Sequence, residues 1–152
     1  MNKSKDHKIN TLLVVGLGSI GLKHIKTAKS LREEIEIVAL TSRPFDFKDN
    51  PLISYNVDNL DEALKFSPDA AIISNPASSH VEFATPLALN SVPMLIEKPI
   101  SDSLAKVDEL KHALRSIDNF ILVGYNLRFL NSLKLFRDLI HSKEVGKVLS
   151  VR

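Results

Sequence analysis

Short apolar segments alternate along this chain with longer segments whose apolar residues recur every three or four positions. The short apolar runs predict buried strands, and the three-to-four spacing predicts helices that pack one face against a core. The predicted strands are 9–15, 36–40, 53–57, 69–74, 92–97, 120–123 and 147–151. The predicted helices are 20–31, 58–66, 78–89, 101–117 and 133–140.

This alternation of strands and helices, joined by loops of a few residues, predicts βαβ units and a mainly parallel sheet. The expected fold is therefore α/β, a doubly wound sheet of about six strands with helices on both faces. Residues 43–51 contain two prolines, two aspartates and an asparagine, which predict a loop.

Several single residues predict where individual helices and strands begin, bend or end. Pro86 is expected to kink or shorten the third helix, and Asn90 is expected to end it in a left-handed cap. Pro93 fits only at the start of its strand, where no ladder hydrogen bond is needed. The serines expected to cap helices are Ser78 or Ser79, and Ser101 or Ser103. The apolar face expected on the fourth helix comprises Leu104, Val107, Leu110, Leu114 and Ile117.

The composition limits the class of protein. The chain has 152 residues, 44% of them apolar and 25% charged, as in folded domains rather than disordered chains. A net charge of +2 is too small to indicate a nucleic acid or an acidic membrane as partner. The lack of cysteine excludes disulfides and thiolate sites, and no spacing of His, Asp and Glu predicts a metal site. No apolar run is long enough for a membrane span or a signal peptide, so we expect a cytoplasmic protein.

The segment Gly16-Leu17-Gly18-Ser19-Ile20-Gly21 matches the pattern G-x-G-x-x-G and lies between a predicted strand and a predicted helix. In that context the pattern indicates a loop that binds the pyrophosphate of a dinucleotide. Gly16 allows the tight turn, Gly18 lets backbone approach the pyrophosphate, and Gly21 allows close packing of helix on strand. The N–H groups near Ser19 and Ile20 then face the phosphate charge. The alternative is an ordinary strand–turn–helix that contains glycines.

The residues after the second strand bear on which dinucleotide binds. An acidic residue about twenty positions after the glycine loop would favour NAD, because it binds the ribose 2′-hydroxyl. Ser42 and Arg43 stand there instead, and a hydroxyl with a guanidinium suits a 2′-phosphate. We therefore expect NADP rather than NAD. The competing interpretation is that Arg43 is an ordinary solvated loop residue.

Four motifs follow one another along the chain. They are the glycine loop extended to His24, the segment 75–80 (Asn-Pro-Ala-Ser-Ser-His), Glu97-Lys98-Pro99, and the segment 124–129 (Gly-Tyr-Asn-Leu-Arg-Phe). In this order they resemble the N-terminal NAD(P)-binding Rossmann domain of the Gfo/Idh/MocA family, which includes glucose–fructose oxidoreductase and inositol dehydrogenase. The resemblance covers residues 9–152. The glycine loop and Ser42-Arg43 further resemble members from surface-polysaccharide and sialic-acid-like sugar pathways.

The resemblance implies an NAD(P)-dependent oxidoreductase that acts on a sugar, polyol or nucleotide-sugar. Lys98 would lie near the nicotinamide and the substrate hydroxyl, and Glu97 would orient that lysine or line the same crevice. His80 and Arg128 match family positions at or near the cofactor cleft. Asn75 and Pro76 follow the fourth predicted strand, at the rim where ligands bind in open α/β sheets. Pro99 matches a family position that often follows a cis peptide bond.

Each of these residues also has a purely structural interpretation. Lys98 is then a surface lysine, His24 a packing or capping residue, and Arg128 a residue that holds a turn by bonding carbonyl groups. The histidines that lie apart from these motifs, and are expected on the surface, are His7, His112 and His141.

Two features depart from the family. Leu130-Asn131 stand where His-Pro or a similar pair often follows, and residues 146–152 resemble only the first strand of the family's C-terminal α+β domain. We therefore expect a flexible tail over 1–8, a dinucleotide-binding domain over 9–145, and the start of a truncated substrate domain over 146–152. The remainder of that domain would bring substrate contacts, an Asp/His acid–base pair and a homo-oligomer interface.

The expected function is that of the cofactor half of an oxidoreductase, binding NADPH more tightly than NADH and inactive alone. The alternative is a stand-alone dinucleotide-binding or regulatory module without catalysis. A short-chain dehydrogenase is a weaker third interpretation, because neither Tyr55 nor Tyr125 is followed four residues on by a lysine.

Overall fold

The computed structural model describes residues 8–42, 50–104, 106–115 and 120–151. Strands and helices alternate through these residues, and single 3-10 turns, Ala77–Ser79 and Asn126–Phe129, precede the third and fifth α-helices. In chain order the elements are β1 Thr11–Val15, α1 Ser19–Leu31, β2 Glu36–Leu40, β3 Tyr55–Val57, α2 Leu60–Lys65, β4 Ala70–Ile73, α3 His80–Leu89, β5 Met94–Ile96, α4 Val107–Arg115, β6 Ile121–Val123 and α5 Asn131–Ser142.

The six strands form one sheet in the order β3-β2-β1-β4-β5-β6, and every neighbouring pair is parallel. This order reverses direction between β1 and β4, as in doubly wound dinucleotide-binding folds, and it confirms the predicted α/β class. The carboxyl ends of β1 and β4 therefore border the crevice where ligands of such sheets bind.

The central strands are buried on both faces, which explains why they are continuous apolar runs rather than alternating ones. In β1, Leu12 to Val15 are all buried, and in β2 so are Ile37 to Leu40. On one face Leu12, Val14 and Ile37 pack with Ile25 of α1. The larger core lies on the other face, under α2, α3 and α4.

Most predicted strands are present but shorter than their apolar runs, and β2 alone has the predicted bounds. A residue at the edge of an apolar run counts as strand only where a neighbouring strand pairs with it. The exception is 147–151, where the structure has no strand and the described residues are exposed. That prediction was wrong because, among the described residues, no strand lies beside this segment to supply ladder hydrogen bonds.

Two helix predictions were also wrong in detail. The fourth helix begins at Val107 because Lys106 is left-handed (φ 67°), so Leu104 lies outside it and is 87% exposed. Asn90 has φ −89°, and the left-handed residue is Ser91 (φ 57°), one position later. Asn90 instead donates its side-chain amide to Pro86 O at 2.9 Å.

Pro86 does not end α3, which continues to Leu89. Ser79 takes the N-cap position of α3, but its side chain makes no capping hydrogen bond. Ser101 Oγ accepts a hydrogen bond from Ser103 N at 3.2 Å in a turn before α4. Pro93 precedes β5, as predicted, and its carbonyl accepts a hydrogen bond from Ala71 N. Ile117 lies outside the described residues.

The fifth helix forms as predicted, but several of its apolar side chains are exposed, while Leu139 and Ile140 are half-buried. Leu133, Phe136 and the 3-10 turn residue Phe129 are exposed. Over the part of the chain that the structure describes, no helix has the length and hydrophobicity needed to cross a membrane.

Candidate nucleotide-binding site

The glycine turn after β1 packs closely between the ends of β2 and β4. Gly16 has φ +90°, and its N–H donates to Leu40 O at 2.9 Å. A Cβ on Gly16 would lie 2.6 Å from Asn75 N, and one on Gly21 would collide with Gly16 O. Ser74 Oγ donates to Gly16 O at 2.9 Å and fixes the turn from the β4 side. Only glycine therefore fits at Gly16 and Gly21.

The start of α1 is open toward solvent. A Cβ built on Gly18 would meet no atom within 4 Å, and Gly18 is the N-cap of α1 without a side-chain capping bond. The first turn of α1 contains no acidic residue, and Ser19 and Ile20 are exposed. Uncapped N–H groups at a helix start attract anions, so this turn can hold a phosphate.

A cavity of about 540 Å³, here called the switch-point cavity, opens beside this turn. Five residues predicted for the cofactor site line it, namely Gly16, Gly18, Ser42, Asn75 and Pro76. The others that line it are Val15, Leu17, Leu40, Thr41, Asp58, Ser74, Ser79 and Phe83. Arg43 lies outside the described residues. The cavity therefore spans the ends of β1, β2, β3 and β4.

A larger cavity of about 840 Å³ lies at the opposite edge of the sheet, near the starts of β4, β5 and β6. Its lining is mainly apolar and includes Leu64, Pro93 and Phe120. We take the smaller cavity as the candidate site, because ligands of doubly wound sheets bind at the carboxyl ends of the strands.

Glu97 directly follows β5 and bonds to the helix that follows the glycine loop. Glu97 Oε1 lies 2.8 Å from His24 Nε2, and Glu97 Oε2 lies 3.3 Å from Lys98 N. The carboxylate rests against Gly124 at the end of β6, where a Cβ would approach it to 3.2 Å. The Glu97 side chain is thus held on three sides, and His24 is its partner rather than an isolated packing residue.

Lys98 and Arg128 are both exposed. Within the described residues, neither side chain makes a hydrogen bond or ion pair, so Arg128 does not hold its turn through carbonyl groups. The peptide bond between Lys98 and Pro99 is cis, as the resemblance implied. The Lys98 ammonium is therefore available to a ligand at the carboxyl end of β5.

His80 is buried, with 1% of its surface exposed, and does not line the switch-point cavity. Its Nδ1 lies 2.8 Å from Pro99 O and its Nε2 lies 2.8 Å from Asn75 O. The imidazole thus joins the turn after β4 to the loop that carries Lys98. Asn75 Oδ1 is buried and has no hydrogen-bond partner among the described residues, which leaves an acceptor for a donor from a ligand.

The arrangement fits a dinucleotide at several points: an uncapped helix start, a glycine with open space above its Cα, and an unsatisfied amide oxygen. His24, Thr41, Asp58 and Phe83 were not among the predicted site residues. His24 belonged to a motif, but no sequence signal paired it with Glu97. Within 8–42, 50–104, 106–115 and 120–151, no group of three His, Asp or Glu side chains could hold a metal ion.

Comparison with known proteins agrees with this geometry. Residues 11–125 match the model of the Gfo/Idh/MocA family, described as an oxidoreductase family with an NAD-binding Rossmann fold. The chain is 25% identical over 146 residues to glucose-6-phosphate 3-dehydrogenase of Bacillus subtilis, covering 91% of this chain and 40% of that protein. The chain thus spans well under half the length of the curated relatives it matches.

Solved structures share the fold at lower identity. Myo-inositol 2-dehydrogenase from Lactobacillus plantarum superposes with a TM-score of 0.82 at 19% identity, over 93% of this chain and 44% of that one. The WlbA dehydrogenase from Chromobacterium violaceum, in complex with NADH and UDP-GlcNAcA, gives 0.79 at 19% identity, over 91% and 41%. Because the family model matches most of the chain, including all six strands, this chain belongs to the Gfo/Idh/MocA family of oxidoreductases and carries its NAD-binding Rossmann fold.

Proposed function

We propose that this chain binds NADP, or less tightly NAD, in the switch-point cavity and contributes Lys98 to hydride transfer on a sugar-like substrate. The observation that carries the proposal is the uncapped start of α1 beside Gly18, which opens at the switch point of the sheet. We assign this role to residues 9–145. The pyrophosphate would bind the N–H groups near Ser19 and Ile20.

The nicotinamide would supply the hydride donor or acceptor when bound, so the protein has to orient substrate and manage charge on oxygen. The exposed Lys98 ammonium can donate a hydrogen bond to a substrate oxygen that gains negative charge. Glu97 and His80 fix the loop on either side of Lys98 through bonds to His24 and Pro99 O. Complete turnover also needs a proton acceptor, which we propose lies outside the described residues.

The substrate class we propose is a sugar, polyol or nucleotide-sugar. The named relative acts on glucose 6-phosphate, and the WlbA structure holds a nucleotide-sugar. Both ligands present vicinal hydroxyls of the kind that a lysine ammonium can bond. A role in surface-polysaccharide or sialic-acid-like sugar synthesis is the narrower form of this proposal.

The preference for NADP rests on Ser42, which lines the cavity, and on Arg43 beside it in sequence. A serine hydroxyl and a guanidinium together suit a 2′-phosphate.

The test is a titration of the chain with NADPH and NADH, followed by nicotinamide fluorescence. We expect saturable binding of both, with the lower dissociation constant for NADPH. Absence of binding at millimolar concentration of either nucleotide would overturn the proposal. Lys98→Met should leave both constants within about twofold, because Lys98 is assigned to substrate rather than to cofactor affinity.

A further inference from the structure

Asp58 lines the switch-point cavity and occupies the position directly after β3. The parallel register pairs Leu40 with Val57, which brings Asp58 level with Thr41 on the neighbouring strand. Thr41 N donates to Val57 O at 3.4 Å and keeps the two strand ends together. No acidic residue follows β2 directly. The carboxylate on this side of the cavity comes instead from Asp58, at the end of the neighbouring strand β3.

The cavity follows the sheet order outward from the glycine turn. Gly16 and Gly18 belong to the end of β1, Ser42 to the end of β2, and Asp58 to the end of β3. Neighbouring strands lie about 4.8 Å apart, so the ends of β1 and β3, which are two strand spacings apart, are separated by about 10 Å. In the proposed function the pyrophosphate lies at the end of β1 and the ribose at the end of β2. The base of the same nucleotide then reaches the end of β3.

The Asp58 side chain has one oxygen held and one available. Asn59 Nδ2 donates to Asp58 Oδ1 at 2.7 Å, while Asn59 Oδ1 accepts from Glu62 N at 2.8 Å at the start of α2. Asp58 Oδ2 makes no hydrogen bond with a described residue. An ionised carboxylate only accepts hydrogen bonds, so its partner in the cavity has to be a donor.

We propose that Asp58 accepts a hydrogen bond from the exocyclic amino group of adenine and makes the site selective for adenine dinucleotides. The inference rests on the proposed function, because it assigns the base within the same nucleotide. Replacement of the amino group by a keto oxygen, as in hypoxanthine, would put an acceptor against the carboxylate. A hydrogen bond to a charged group at an exposed site supports roughly three- to tenfold selectivity.

The experiment compares NADH with reduced nicotinamide hypoxanthine dinucleotide, which differs from it only in that base, by fluorescence titration. We expect the wild-type chain to bind NADH roughly three- to tenfold more tightly. Asp58→Ala should bring the ratio close to one. Asp61→Ala is the matched control, because Asp61 is also an exposed carboxylate nearby but does not line the cavity, and it should keep the wild-type ratio.

Equal binding of the two dinucleotides by the wild-type chain, or an unchanged ratio in Asp58→Ala, would overturn this inference alone. The inference would also be overturned if Asp58→Ala changed only the ratio of the NADPH and NADH dissociation constants, because the carboxylate would then face the ribose and not the base. If no dinucleotide binds at all, the proposed function fails and this inference fails with it.

Discussion

His24 Nε2 and Glu97 Oε1 lie 2.8 Å apart, although the two residues are 73 positions apart in the chain. The contact joins the helix that follows the glycine loop to the residue before Lys98. Both side chains are largely shielded, with 25% and 22% of their surfaces exposed. The helix that follows the glycine loop and the loop that carries Lys98 are therefore linked through this pair of side chains.

We expect this pair to be energetically coupled. Replacing His24 or Glu97 by Ala should lower the free energy of unfolding, and the double variant should lose less than the sum, by about 1 kcal/mol. The measurement is a double-mutant cycle by urea unfolding. Additive losses within error would mean that the contact contributes nothing to stability.

The glycine turn should respond differently at its two ends. Gly16→Ala should lower the free energy of unfolding by about 2 kcal/mol or more, because Gly16 has φ +90° and its Cβ would meet Asn75 N at 2.6 Å. Gly18→Ala should lower that free energy by no more than about 1 kcal/mol, because space is open there and only the poorer N-cap preference of alanine counts, yet weaken NADPH binding. Thermal melts and fluorescence titrations distinguish the two. Equal destabilisation by both variants would contradict the described turn.

His80 should be important to stability through its two carbonyl partners. His80→Phe removes the imidazole that lies between Asn75 O and Pro99 O and whose N–H donates to one of these carbonyl oxygens, so the free energy of unfolding should fall by about 2 kcal/mol or more. His141→Phe, at an exposed position on α5, is the control and should change stability by less than about 0.5 kcal/mol. Similar losses in the two variants would argue against the His80 contacts.

The preference between the two dinucleotides should follow Arg43. Arg43→Asp should reverse the ratio of the NADPH and NADH dissociation constants, because a carboxylate repels a 2′-phosphate and accepts from a 2′-hydroxyl. Arg115→Asp, which makes the same change of charge on α4, should leave the ratio as it was. If Arg43→Asp also leaves the ratio of the two dissociation constants unchanged, Arg43 does not bind the 2′-phosphate.

The sequence was sufficient to predict the α/β class. A strand buried on both faces gives a continuous apolar run, and a helix buried on one face gives apolar residues every three or four positions. It was also sufficient to place Gly16, Gly18 and Ser42 around one cavity. It could not supply the strand order β3-β2-β1, and therefore missed Asp58 in that cavity. The contacts of His24 with Glu97 and of His80 with Pro99 were equally hidden, because these partners lie 73 and 19 positions away.

The strand predicted at 147–151 shows that a segment can have the sequence of a strand and still not form one. Its apolar residues, Val148, Leu149 and Val151, suit a strand, but a strand also needs a hydrogen-bonded neighbour. Such a neighbour is a property of the assembled sheet and not of the segment. Leu104 is comparable, since its spacing suits the face of α4 but the left-handed Lys106 separates it from the helix.

The central claim is that a dinucleotide binds at the carboxyl edge of the sheet beside Gly18. Amide chemical-shift mapping by NMR on the labelled chain, with NADPH added stepwise, tests it most directly. We predict saturable shifts concentrated at residues 16–21, Ser42, Asn75 and Lys98, with little change at Phe120 in the cavity on the opposite edge. No shifts at millimolar NADPH, or shifts confined to the surroundings of Phe120, would contradict the account.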